Sequence, residues 1–515
     1  MPVQIKILVE MRPAMEGFAG IPQEARLLFY GLSSLPHVEV EGLLQTSTRF
    51  VAQGAPEKPQ PGFTPAMASD RYSNVIASLA DPPRQSHLNR AARIFRKQVI
   101  SAWLFLTTII GRGDVRLTRL NSKDFSNFIW QALFSKSLPE RDLSAVALGN
   151  YRICSVPRKA MQAAGLATLM WRRTALYPRL ATSDFDVFLG QTPFPGRVSE
   201  GTRIIIRYHD AIPILMPRTT RGDHHAVHFR ALQSNVRDGA WFACVSGTTR
   251  SNLLRLFPEA GARAVTIHNM VSHHYFLEGA NLKAVTDIVR SNLYRTSGWL
   301  PTFRNIPEEK AFYERHIEEG SFRYLLMVST IEPRKNHTLL IAAWNLIKAE
   351  YDPSLKLVIV GTLGWGYENV RSLLAPQIAR GEAFMLHAVP ADNLRLLYRN
   401  ALATICPSLG EGFGFTGVEA MRSGGITIAS DIAVHREIYA DAAIYFDPYS
   451  TASLTGALAD TLYSEDSRAT LDKLKQRGRE VGDRYLPDNI IPKWERFLMQ
   501  ITDKHPHEHD PSGLC

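Results

Sequence analysis

The chain has 515 residues, 45% apolar and 21% charged, the composition of a folded globular protein too long for one hydrophobic core. That excludes a disordered, collagenous or coiled-coil chain. It carries 59 Lys and Arg against 49 Asp and Glu, a net charge of +10. Cys154, Cys244, Cys406 and Cys515 lie far apart without a CxxC pair, which argues against a disulfide framework or zinc ribbon and for a reducing compartment.

In chain order, the first predicted element is a strand over residues 5–9, read as a strand and not as a signal peptide. The run EGFAGI at 16–21 follows it. Gly17 and Gly20 would let a ligand approach the backbone, and Arg12 would meet an anionic group; an ordinary strand-to-helix turn is the alternative. Residues 53–181 interrupt the strand rhythm with Pro-rich and basic sequence and read as an insertion containing helices. Within it, residues 84–119 hold Arg84, Arg90, Arg93, Arg96, Lys97, Arg112, Arg116 and Arg119 against Asp114 alone, so eight minus one leaves +7. Leu88, Ala92, Phe95, Val99, Trp103, Leu106 and Ile110 recur at helical steps of three and four. A basic flank beside an apolar stripe with Phe and Trp suits a helix lying in an anionic membrane surface. The rival is a helix packed on its domain with a solvated basic face. Nucleic acid is not expected, because no recognition motif accompanies the charge. The apolar run 99–110 falls short of the roughly 20 residues that a membrane span needs.

Further strands are predicted at 185–189, 203–208, 241–245 and 264–267. The second of these delivers His209 and Asp210 to a loop at its carboxyl end, where parallel sheets bind ligands. Asp184 and Asp186 form a DxD that reads as strand-start polarity. His224, His225 and His228 read as a solvated helix face, with no metal site assigned. Residues 281–320 are polar, contain Pro301 and Pro307, and read as a connection, with the linker proper at 301–320.

A second α/β region is predicted from strands at 324–329, 356–361, 383–386, 403–406, 427–429 and 443–446. STIEPRKNH at 329–337 places Arg334 and Lys335 where the first of these strands ends, suited to binding phosphate. PSLGEGFGFTGVEAMRSGGITIASD at 407–431 runs from a strand through Gly410, Gly412, Gly414 and Gly417 into a helix. Its amino terminus offers free N–H groups to a diphosphate. Glu411 lies in the loop and Glu419 eight residues on, in the helix. The expected fold is α/β, two Rossmann-like doubly wound domains facing a cleft. They cover residues 1–300, with the insertion at about 53–181, and 321–485. A helix at 486–503 crosses back to the first domain, and 504–515 form a flexible tail.

As a set, EPRKNH, VIVG, EGFG with EAM, Ser430–Asp431, Glu437 and Phe446–Asp447–Pro448 resemble the retaining family-4 glycosyltransferases of GT-B fold, over residues 324–448. HDAIPILMP at 209–217, CVSGTTRSNL at 244–253 and IHNMV at 267–271 are similar to a bacterial mannosyltransferase subgroup of surface-polysaccharide synthesis. The resemblance implies that Glu419 holds the ribose of a nucleotide sugar. It implies that Glu411, Gly412, Phe413, Gly414, Phe415 and Ser329 contact the donor, and that Arg334 and Lys335 neutralise the departing diphosphate. It puts His209 over the donor sugar and the loop of Gly17 and Gly20 between acceptor and donor phosphates; from their own positions, Arg12 would meet an anionic acceptor or the diphosphate and Asp210 would hydrogen-bond a sugar on the acceptor side. It implies GDP-mannose as donor, no metal or other cofactor, and a lipid-linked or polysaccharide acceptor. The enzyme is then cytoplasmic and peripheral at the inner face of the bacterial membrane. A UDP-hexose donor is the alternative within the class; a non-catalytic nucleotide-sugar-binding subunit is the alternative outside it. A dinucleotide oxidoreductase would want GxGxxG after the first strand, which is not there. The sequence departs from the family pattern at Met270, Thr416, Ile426 and His387, the last beside the expected nucleobase pocket.

Overall fold

The computed structural model describes residues 4–17, 20–56, 62–80, 87–111, 113–220, 222, 224–279, 281–295, 299–317 and 322–502. Arg84, Arg112 and the 504–515 tail lie outside the described residues, as do the side chains of Leu88, Arg90, Ala92, Arg93 and His224.

The first sheet contains β1 (Ile5–Glu10), β2 (Val38–Leu44), β3 (Thr118–Asn121), β4 (Asn150–Ile153), β5 (Val187–Gly190), β6 (Arg203–Tyr208), β7 (Trp241–Cys244) and β8 (Ala264–Thr266) in the order β3-β4-β2-β1-β5-β6-β7-β8. All neighbours pair parallel except β3 with β4, at the edge. The period of two in β1 sends Ile7 and Val9 to one face and Leu8 to the other, and each face carries its own apolar core. The second sheet holds β9 (Tyr324–Val328), β10 (Lys356–Val360), β11 (Ala383–Leu386), β12 (Ala403–Cys406), β13 (Thr427–Ser430) and β14 (Ala443–Phe446) in the order β11-β10-β9-β12-β13-β14, wholly parallel.

Three expectations change. The strand β2, VEVEGLL, was not anticipated and pairs with β1 along six residues. The insertion holds helices, but it also adds β3 and β4 to the first sheet, so it widens that sheet as well as decorating it. The stretch read as linker is packed structure. Helix Leu282–Ser291 buries Val285, Ile288 and Val289, and helix Ile306–His316 buries Tyr313, all in the core of the second sheet. Spacings of three and four among those apolar residues outweigh the polar average of the segment. At the other end, helix Pro487–Thr502 lies against the first sheet. Ile490, Trp494, Phe497, Leu498 and Ile501 are fully buried there beside Ile7 and Val9.

Candidate active site

In both sheets the carboxyl ends of the central strands point into the space between the domains. From the second domain, β9 leads through Ser329 to Arg334 and Lys335 in a short turn, and β12 leads into the glycine loop. Lys335 Nζ donates to Glu411 Oε1 at 2.6 Å. Arg334 Nη1 donates to Glu411 Oε2 at 3.0 Å and to the Gly410 carbonyl at 2.7 Å, while its Nη2 reaches Glu332 Oε1 at 2.7 Å. Burial alone would raise the Glu411 carboxyl; Lys335 and Arg334 overcome it and hold the group well below the usual carboxylate range. Glu411 is therefore a fixed anion between two cations.

The glycine loop then turns into helix Phe415–Arg422. Gly414, at φ +87°, forms the amino-terminal cap with a backbone that a side chain would strain. Gly412 is required for a different reason. A Cβ there would sit 1.9 Å from the His209 carbonyl oxygen of the first domain, so only glycine lets the domains approach this closely. Thr249 Oγ1 lies 3.3 Å from both the Gly412 and the His209 carbonyls. Phe413 is buried against the rings of Phe415, Tyr485 and His268.

Glu419 is buried. Its Oε1 accepts from Gln23 Nε2 of the first domain at 3.0 Å, and its Oε2 from the Tyr398 hydroxyl at 3.0 Å. Burial raises its pKa against these bonds and one from Tyr275. The Ser329 hydroxyl lies 3.2 Å from His337 Nε2, a ring that burial keeps neutral with a pKa of about 3.

From the first domain, β6 ends at His209. Burial, helped by the nearby Arg207, lowers the pKa of this imidazole to about 3. The ring hydrogen-bonds the Gln191 backbone, and its buried Nε2 has no partner. Both amide atoms of the Gln191 side chain are likewise buried without partners. Asp210 Oδ1 accepts from the Ile212 amide at 2.9 Å. Its pKa is raised by burial, opposed by Arg334 across the gap. Arg12 is held by Glu10 and Glu16, each at 2.9 Å. Gly20, at φ +70°, caps helix Ile21–Ser33, and Arg26 donates to the Gly17 carbonyl.

A family model described as Glycosyl transferases group 1 matches residues 309–481. The match takes in all six strands of the second sheet. The chain is 25% identical to O-antigen chain mannosyltransferase B of Escherichia coli over 266 residues, 52% of this chain and 63% of that protein. It is 34% identical to the serotype-specific mannosyltransferase WbdA of Escherichia coli over 139 residues, 27% of this chain and 17% of that one. The matches thus span less than two thirds of these relatives' lengths. Among solved structures, sucrose-phosphate synthase from Thermosynechococcus elongatus aligns over 97% of this chain and 99% of its own with a TM-score of 0.53 at 14% identity. The fold is GT-B.

The structure therefore gathers Arg334, Lys335, Glu411 and Gly412–Phe415 of the second domain opposite His209 and Asp210. Glu419 lies in the same helix as Phe415 and is tied to Gln23. Arg12 is on the first-domain side, linked to Thr192 Oγ1 at 3.5 Å. His387 Nδ1 lies 3.3 Å from the Gly361 carbonyl, and its ring meets Tyr294 edge-on. The DxD is structural: Asp186 accepts from the Lys6 amide at 2.9 Å, and Asp184 lies 3.6 Å from Arg152. Residues not anticipated are Gln23, Gln191, Tyr275 and Tyr398. No local pattern marks them: Gln23 and Tyr275 gain their place from contacts to Glu419 across more than a hundred residues, Tyr398 from one across 21, and Gln191 from unpaired buried atoms. Glu437 was noted only as part of the motif. It bonds across the domain boundary to the Gly247 amide at 2.6 Å, the Thr248 amide and hydroxyl at 2.8 Å, and His268 at 3.1 Å.

Proposed function

We propose that this protein is a retaining, metal-independent glycosyltransferase that moves mannose from GDP-mannose to a lipid-linked or surface-polysaccharide acceptor, working at the inner face of the cytoplasmic membrane. The observation that carries the reading is the Arg334–Lys335–Glu411 cluster at the strand ends, facing His209 across the cleft. Preorganised positive charge is what a departing nucleoside diphosphate needs, and fixed electrostatics of this kind often supply the largest share of catalysis. Arg334, Lys335 and the amino terminus of helix Phe415–Arg422 would receive the diphosphate oxygens.

In the reaction the bond from the anomeric carbon to the diphosphate oxygen breaks, and the acceptor hydroxyl oxygen bonds to that carbon on the same face. The hydroxyl proton passes to a phosphate oxygen of the leaving group. His209 does not serve as the acid, because at neutral pH it is already unprotonated. Its free Nε2 would instead hydrogen-bond a hydroxyl of the transferred sugar. Glu411, fixed by two cations, would orient the sugar and is not assigned as a covalent nucleophile. The mannosyltransferase names of the relatives support the sugar; the GDP moiety rests on the subgroup resemblance of residues 209–217 and 244–271.

A thermal-shift series with GDP, UDP and ADP, alone and as their sugars, tests the donor. GDP-mannose should give the largest stabilisation. Stabilisation by UDP-glucose without any by GDP-mannose would replace the donor, and no response to any nucleotide would remove the transferase reading.

A further inference from the structure

Helix His87–Ile110 is oriented the wrong way round for a helix that serves only its own domain. Phe95, Val99, Trp103, Leu106 and Ile110 form one stripe and are each more than half exposed, from 51% at Val99 to 67% at Phe95. The buried residues, Leu104 and Thr108, lie about half a turn round the helix from that stripe. Through this narrow side the helix packs on its neighbour, helix Arg158–Ala167. An apolar stripe normally faces the core, and here it faces outward.

A second segment extends the surface. Met170 and Trp171, in the turn after helix Arg158–Ala167, are 74% and 69% exposed, and the Trp171 ring lies 5.6 Å from that of Phe105. Exposed arginines accompany both parts: Arg96 on the helix, Arg116 just beyond its end, and Arg172 and Arg173 next to Trp171. The acid of this stretch, Asp114, is neutralised by Arg179 at 2.7 Å. Among the described residues these exposed arginines have no acidic partner, so the surface is apolar and aromatic with positive charge beside it. Among the described residues no helix is long and apolar enough to cross a membrane.

We propose that the stripe of helix His87–Ile110 and the Met170–Trp171 turn form one two-part face that inserts shallowly into an anionic lipid surface. The charge sign selects anionic lipid, and Trp and Phe beside Arg suit the boundary between headgroups and acyl chains. The face is joined to the cleft through a single helix. Arg158, the first residue of helix Arg158–Ala167, donates to Thr192 Oγ1 at 3.2 Å and to the Pro193 carbonyl at 2.7 Å, beside Arg12. Docking would therefore fix the first-domain rim of the cleft relative to the lipid surface. The purpose of that orientation rests on the lipid-linked acceptor proposed above; the docking itself does not.

Co-sedimentation with phosphatidylglycerol-rich vesicles, against vesicles of phosphatidylcholine alone, tests it. The full chain should bind the first and not the second. Trp103→Ser with Trp171→Ser should weaken binding by about tenfold or more, since both rings leave the interface. Arg172→Ala with Arg173→Ala should weaken it less and flatten its dependence on salt. Every substituted residue is exposed, and an unchanged GDP thermal shift in each variant would show that fold and nucleotide site persist. Absence of any GDP shift in the unaltered protein would count against the donor reading alone. Equal binding by the tryptophan variant, or no binding by the unaltered protein, overturns the proposal. So does a dimer that Trp103→Ser dissolves in a protein that ignores vesicles.

Discussion

The two domains share one architecture but use charge in opposite ways. The first buries it. Arg207 and Glu24 are both fully buried and paired at 2.7 Å, and Arg207 also holds the Ile267 carbonyl and Asn269 while lying over the Trp494 ring. Arg26 ties down the Ala14 and Gly17 carbonyls, and Arg152 pairs with Glu41. These ions fasten chain ends and loops from distant parts of the sequence. The second domain has an apolar core and gathers Arg334, Lys335 and Glu411 at the cleft. The lesson is that buried charge in the first domain shapes the walls of the site, whereas charge in the second is poised to meet a ligand.

That contrast is open to attack on its strongest term. Glu24→Ala would leave Arg207 as an unpaired buried cation, a change that costs roughly 3–5 kcal/mol. Denaturant unfolding should register it in the first domain; a loss below about 1 kcal/mol would show that the buried pair is not structural glue. Lys335→Ala should do the reverse. It should leave stability nearly unchanged and lower glycosyl transfer by about 10²–10³-fold, the scale for removing one preorganised electrostatic donor. Turnover near that of the unaltered protein would remove Lys335 from the chemistry.

The same contrast explains what the sequence disclosed. The second domain was legible because its site is local. Arg334 and Lys335 sit in one turn, and Glu411 to Glu419 lie within nine consecutive residues of glycine loop and helix that follow closely on a strand. The site of the first domain is spread over Arg12, Gln23, Gln191 and His209; Arg12 and His209 were placed because each follows a predicted strand, whereas Gln191, which also follows one, carries no charge or ring to single it out. Gln23 and Gln191 are ordinary glutamines until the fold sets one against Glu419 and leaves the other without partners. The strand β2 was passed over because its Glu39 and Glu41 break the apolar run expected of a parallel strand, yet Glu41 is satisfied by Arg152 from β4. The connection at 281–320 was misread because average polarity masked the helical spacing of Val285, Ile288 and Val289.

Acid should separate the domains. His337 and His435, buried and neutral in the second domain, have pKa values of about 3 and 4 against 6.5 when unfolded. Below pH 6.5 the unfolded chain takes up protons that the folded one refuses. Each histidine therefore removes roughly 1.4 kcal/mol per pH unit until its own folded value is reached. Glu411, held low by its cations, adds to the loss as pH falls further. In the first domain, burial raises Asp210, which makes its protonation favourable to the folded state and offsets the share of His209; in the second, Glu419, also raised by burial, offsets only part of the two histidines and Glu411. Hydrogen exchange followed from pH 7 to 4.5 should show the second domain opening first; simultaneous opening would contradict the asymmetry.

The smallest expected effect lies where the two uses of charge meet. Glu437 belongs to the second domain, yet it caps the first turn of helix Gly247–Leu256 in the first, accepting from the Gly247 and Thr248 amides. Those bonds, with His268, hold its pKa at about 2 despite burial, so the group is charged at neutral pH and the latch is made. Glu437→Gln keeps the size but turns one acceptor into a donor that must face an N–H group. At least one bond breaks, with a loss of about 1–2 kcal/mol from the closed arrangement alone. Both domains should remain folded, while the unliganded protein becomes more extended in solution scattering and its nucleotide affinity falls by about five- to thirtyfold. If neither scattering nor affinity changes, closure is held by the packing of Gly412 on the His209 carbonyl and of Phe413 on His268 and Tyr485, and the carboxylate is only a local cap.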